Sequence, residues 1–195
     1  MMRIQPGGKM TPVQPNARDR ILSAAHDLFY RDGIRATGID KIIKEAGVTK
    51  VTFYRHFPAK DDLIRAFLDY RHERWIEWFR TALSREMSAK NGLAAALCAT
   101  LAEWFASDSF RGCAFINTAV ELADALPESL SVARSHKQDM TDALTAWLPR
   151  GEGGKRLAAT LSMLIDGAIV KAQREENPQA ALAVLNDALV ALLRH

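Results

Sequence analysis

The chain has 195 residues, 48% hydrophobic and 25% charged, with a net charge of +3 and two cysteines. That size and balance suit one large domain, or a small one joined to a larger, and exclude a wholly disordered chain. Cys98 and Cys113 are too few for a disulfide framework and match no metal-binding spacing, so neither metal nor cofactor is expected.

No apolar run approaches the ~18 residues of a membrane span, and a reducing cytoplasm is the expected location. Charge is unevenly spread: residues 1–80 carry 15 Lys/Arg against 10 Asp/Glu, whereas the remainder is slightly acidic. A surplus at one end fits a protein that touches phosphates there only, although a surplus of this size also arises by chance.

Residues 1–16 contain three prolines and two glycines but no apolar signal region, and read as a flexible arm. Beyond it, strand-like alternation is absent and helical periodicity recurs, which predicts an all-α fold. A first helix over 17–31 carries Ile21, Ala24, Ala25 and Leu28 on one face and stops at Asp32-Gly33. Ile39, Ile42, Ile43 and Ala46 stripe a short second helix ended by Gly47. Thr49 caps a third over 50–56, closed by Phe57-Pro58. Asp61 and Asp62 suit the N-terminus of a fourth helix, which carries Leu63, Ile64, Phe67 and Leu68 and is expected to reach the low eighties. Further helices are predicted over 92–107, 114–125, 128–148, 155–175 and 178–194. The breaks fall at Asn91-Gly92, Arg111-Gly112, Leu126-Pro127, Pro149-Arg150-Gly151 with Gly153-Gly154, and Asn177-Pro178.

The second and third helices, joined by Ala46-Gly47-Val48-Thr49, form a helix-turn-helix candidate. A small residue lets the helices cross, glycine permits the turn, Val48 plugs the core beneath it, and Thr49 caps the recognition helix. Polar groups near the start of that helix then meet bases and phosphates in the major groove. Thr49, Lys50, Thr52, Tyr54, Arg55 and His56 are of that kind.

From Gly33 to Leu63 the sequence GIRATGIDKIIKEAGVTKVTFYRHFPAKDDL resembles the signature of the tetracycline-repressor (TetR) family, and the likeness extends over roughly Arg18 to Phe67. The resemblance implies a three-helix DNA-binding domain over 17–62 and a larger helical ligand-binding and dimerisation domain over 63–195. It implies that Thr37 and Lys60 hold phosphates at helix starts. It also implies that Thr49, Lys50 and Thr52 read bases and phosphates, and that Tyr54 and His56 contact the DNA backbone. Val51 stands where the family often has glycine or alanine. Phe53 and Phe57 read as core, His56 either contacts DNA or packs structurally, and Lys41, Lys44 and Arg55 are left as solvated.

Further along, the middle helices hold many aromatics, interleaved with His72, Asn117, Glu121 and Asp166. An apolar cavity with few polar anchors is what a small-molecule site needs, and the same residues also suit an ordinary core. Trp75, Trp78, Trp104, Cys113, Asn117 and Trp147 are the candidate effector-binding residues. Cys113, beside Arg111 at a helix start, is either a reactive thiolate or a small buried residue. The last two helices show apolar faces, Leu157 to Ala172 and Leu182 to Leu193, and some of each face must be intramolecular core. The resemblance implies that they pair two subunits, so that a homodimer reads a near-palindromic double-stranded DNA operator and an effector releases it. A nucleophile–base pairing of Cys113 with His136 or His72 would make an enzyme. Nothing in the sequence orients such a pair, and no catalytic function is expected.

Overall fold

The computed structural model describes residues 15–89, 92–175 and 177–194. Residues 1–14 of the expected arm, and Asn91 of one expected break, lie outside them. The described residues form helices α1 (Ala17–Asp32), α2 (Ile39–Ala46), α3 (Lys50–His56), α4 (Lys60–Ala89), α5 (Leu93–Phe105), α6 (Ala114–Leu122), α7 (Glu128–Thr145), α8 (Glu152–Arg174) and α9 (Gln179–Leu192), with no strand among them.

Local chemistry starts and stops the first three helices. Asn16 Oδ1 accepts from the Asp19 N–H at 3.0 Å, which answers one of the donors left open at the start of α1. Gly47 takes the left-handed conformation, φ 61° and ψ 42°, that ends α2 without a Cβ clash. Thr49 Oγ1 accepts from the Thr52 N–H at 3.1 Å and so opens α3. Ile21, Leu28, Ile34, Ile42 and Phe53 close a small core among these helices, and each is essentially inaccessible to solvent.

At 30 residues, about 45 Å by helical rise, α4 is shared between the two ends of the molecule. Its first turns bury Leu63, Ile64, Phe67 and Leu68, and it packs on α1. Further on it buries Trp75, Ile76, Phe79 and Leu83, and it lies on α5 and α7. The rest forms a layered bundle in which α7 packs on α6 and α8, and α9 packs on α8 and α5. One hydrophobic core runs without interruption from Ile21 to Leu189.

Several boundaries differ from the sequence reading: α6 and α7 stop at Leu122 and Thr145, three residues short of the expected ends, and two others differ for reasons visible in the packing. The fourth helix continues to Ala89, with Met87 still packed against the core. The eighth begins at Glu152 and includes Gly153 and Gly154, which the sequence suggested as part of a break. Gly154 is there because α8 starts against the preceding chain: a Cβ at this position would lie 1.9 Å from the Pro149 carbonyl oxygen. A Cβ on Gly153 meets nothing.

Gly154→Ala should therefore lower unfolding stability by about 1–3 kcal/mol through steric overpacking. Gly153→Ala should change it by less than about 1 kcal/mol, on the stabilising side. Urea denaturation of both variants measures the difference.

Candidate nucleic-acid interface

The tight α2–α3 corner exposes one face of α3. Ala46 is buried at the crossing, Val48 packs half-buried beneath the turn, and Phe53 points into the core. Arg20 of α1 braces the corner by donating from Nη1 to the Gly47 carbonyl at 3.4 Å. Outward lie Thr49, Lys50, Tyr54 and Arg55, with Thr52 and His56 half-buried beside them. Val51 is 79% exposed, an apolar side chain in the middle of this polar face. The Thr49 and Thr52 hydroxyls stand 2.9 Å apart, so the cap also orients the second hydroxyl. Tyr54 leans edge-on against Phe53, with ring centroids 5.3 Å apart, which leaves its phenol at the surface. Lys50 and Arg55 join no ion pair among the described residues, and their charge is available to an anion.

Two expected phosphate contacts sit differently. Thr37 is fully buried, and its hydroxyl donates to the Gly33 carbonyl at 2.7 Å and approaches that of Leu28 at 3.4 Å. Its side chain holds the α1–α2 turn and does not face a ligand. Lys60 is folded back: Nζ donates to the Ile34 carbonyl at 2.6 Å and lies 5.8 Å from the centre of the Phe29 ring. Burial pushes its pKa below the ordinary lysine value, partly offset by Glu121 and Asp61. These two residues occupy motif positions next to the turn, and the turn takes their polar groups.

The candidate effector residues divide. Trp75, Trp78 and Trp104 meet, with centroids 5.3–6.2 Å apart, along an open α4–α5 groove that also includes Arg71, Arg74 and Glu103. Trp78 Nε1 donates to Glu103 at 3.0 Å. Cys113 is buried at the start of α6. Asn117 donates to the Arg111 carbonyl at 2.8 Å and accepts from Gln173 at 3.3 Å. Trp147 follows α7 as an exposed indole in contact with none of the other tryptophans.

An interior cluster brings together residues that the sequence named separately. His136, 2% exposed, stacks on Phe115 with centroids 3.7 Å apart and lies 5.1 Å from the Trp75 ring. Its Nδ1 is 3.1 Å from His72 Nδ1, so one ring donates and the other accepts. The Trp75 indole N–H nearby is buried with no hydrogen-bond partner among the described residues. Such a donor suits an incoming acceptor group, because an unsatisfied buried donor costs about 1–3 kcal/mol. Cys113 is not among the hydrogen-bond partners of His72 or His136 among the described residues.

Residues 21–67 match the family model described as bacterial regulatory proteins, tetR family. The solved structure of a TetR-family transcriptional regulator from Streptomyces coelicolor is similar over 91% of this chain and 94% of that one, with 31% identity and a TM-score of 0.76. The transcriptional repressor ComR of Escherichia coli is 31% identical over 121 residues, which is 62% of this chain and 56% of ComR. The transcriptional regulator QacR of Staphylococcus aureus is 32% identical over 65 residues, 33% of this chain and 35% of QacR. The chain thus spans between a third and somewhat over half of the curated relatives it matches. It belongs to the TetR family of bacterial regulators, and its fold is all-helical with an N-terminal helix-turn-helix. No helix among the described residues is long and apolar enough to cross a membrane.

Burial, followed by the neighbouring charges of Lys137, His72 and Arg71, lowers the pKa of His136 from 6.5 to about 2. The unfolded chain therefore binds a proton below pH 6.5 that the folded chain refuses. The stability contributed by the neutral ring is complete above 6.5 and declines as pH falls from there. From pH 7.5 to pH 5, His136→Phe should lose about 1–2 kcal/mol less stability than the wild type. Urea unfolding at the two pH values measures this.

Proposed function

We propose that the chain is a homodimeric repressor that binds a near-palindromic operator through α3 and is released by a small-molecule effector. The observation that carries this reading is the outward set Thr49, Lys50 and Tyr54, with Thr52 and His56 half-buried beside them, on a capped helix whose opposite face is core. Lysine neutralises phosphate or reaches guanine, hydroxyls meet either partner, and the phenol and imidazole suit the DNA backbone. In this reading residues 17–62 form the DNA-reading head and 63–195 the sensing and pairing body, working in the cytoplasm. Thr37 and Lys60 support the head from within, and the exposed first turn of α2 brings backbone N–H groups to phosphate.

Pairing falls to α8 and α9. Met163, 74% exposed, shares a stripe of α8 with Gly167 and Val170, while Val184 and Leu192 project from α9. A Cβ on Gly167 would meet nothing within the chain, so the helix is open there to the close approach of a second copy. Apolar side chains of this size left in water favour association.

The effector site is assigned to the aromatic interior between α4 and α7. Trp75 offers an unpartnered N–H there, His72 and His136 are the polar anchors, and Trp78 and Trp104 lie along the outer wall. Occupancy shifts α4, which begins at the head, and changes the separation of the two α3 helices. A coupling of about 1–3 kcal/mol weakens operator binding from several-fold to about a hundredfold.

Affinity for the duplex upstream of the protein's own gene, measured at several salt concentrations, should fall steeply as salt rises. Lys50→Ala should reduce the slope of log affinity against log salt by about one for each subunit bound. Absence of specific binding in the wild type would overturn the regulator reading. Met163→Lys combined with Val184→Lys should halve the sedimenting mass from a dimer of 21.6-kDa chains to one chain. A dimer that persists would move the interface elsewhere.

A further inference from the structure

The α1–α2 turn is fastened to the body by bonds that the scheme above does not use. The Glu121 carboxylate, on α6, accepts from the Ile34 backbone N–H at 3.1 Å and from that of Arg35 at 2.5 Å. Gly33, at φ 89°, brings the turn close enough for this: a Cβ there would lie 3.4 Å from Glu121 Oε1. On the other side of the turn, Lys60 donates to the Ile34 carbonyl. One helical turn earlier, the Tyr30 hydroxyl donates to the Gly112 carbonyl at 2.8 Å and accepts from the Arg111 N–H at 3.0 Å. The Arg71 guanidinium covers the Tyr30 ring at 4.0 Å.

Between these fastenings lies a polar cleft of about 470 Å³, bounded by Tyr30, Gly33, Arg111, Asn117, Glu121 and Gln173. Phe29, Phe67 and Phe110 also line it, so hydrogen bonds act there together with apolar packing to set the register of the junction. The same loop touches the proposed pairing helix: a Cβ on Gly112 would come within 2.1 Å of the Gln173 side chain of α8. The turn sets where α2 begins, and α2 packs directly on α3.

On the reading of the protein as an operator-binding regulator, we infer that Glu121 is the positioning residue through which α6 sets the angle of the DNA-reading head, with Tyr30 as a second fastening. Both reach backbone groups of their partners, so the link depends on where the turn and loop stand and not on which side chains they carry. Displacing α6 pulls the carboxylate from the two N–H groups and frees the turn. By reciprocity, DNA bound to α3 tightens α6.

Hydrogen exchange of the full chain, free and saturated with a duplex that the wild type selects from a random-sequence pool, tests this. In the wild type the duplex should slow exchange in residues 28–38 and, by at least about fivefold, in residues 110–125. In Glu121→Gln, whose amide keeps one acceptor oxygen and turns a donor toward the other backbone N–H, slowing should persist in 28–38 and fall below about twofold in 110–125. A residue that merely stabilised the fold would speed exchange equally with and without DNA. If Glu121→Gln does not melt cooperatively, Tyr30→Phe, which removes only a hydroxyl, should show the same loss. Undiminished slowing in 110–125 in the folded variant, or none in the DNA-bound wild type, would overturn the inference. Failure of the wild type to select any duplex would overturn the regulator reading instead.

Discussion

The segment from Gly33 to Gly38 must leave one helix and start the next within six residues, and its backbone polar groups need partners while it does so. Those partners come from three directions. Thr37 answers the Gly33 carbonyl from within the turn, Lys60 answers Ile34 from the start of α4, and Glu121 answers two N–H groups from α6. Two of the three side chains carry charge, and hydrogen bonds to charged groups are roughly twice as strong as neutral ones. The position of α2, and through Gly47 that of α3, follows from how this short stretch is held. A head of three short helices has a small core of its own, and its orientation is inherited from the elements that grip the turn.

Beyond that junction three regions of different chemistry stand out. The α3 face is polar, with lysine and arginine free of ion pairs and a single apolar Val51 among hydroxyls. The α8–α9 face is apolar and nearly free of charge along the Met163–Gly167–Val170 stripe. The third is internal: an aromatic cluster with a neutral His136 and an indole N–H that answers to nothing. A nucleic acid, a second copy of the chain and a small apolar molecule bearing an acceptor are the respective partners these chemistries favour. The long α4 packs on α1 of the head at one end and borders the third along its middle.

Helix positions were legible because apolar periodicity and the Gly and Pro punctuation agree through most of the chain. Gly47, Thr49 and Val48 act in the turn as their residue types suggest. The Gly153-Gly154 pair misled: two adjacent glycines look like a break, but one is required by a backbone carbonyl that only the folded chain brings near. Thr37 and Lys60 show the limit of motif reading, since position places a residue beside a turn without saying which way its polar atoms point. Glu121 and His136 lay further out of reach, because their partners are 86–87 and 64 residues away and no local pattern pairs them. The aromatics were visible as a group, yet only the fold separates Trp147 from the trio of Trp75, Trp78 and Trp104.

The claim beneath all of this is that two copies of α3 present their outward side chains to one face of a duplex. Hydroxyl-radical footprinting of the bound protein on its upstream DNA tests it most directly. The account predicts two short protected patches on the same side of the duplex, with centres about one helical turn or a whole multiple of it apart. A continuous unpatterned protection, or a single patch with no mate, would contradict it.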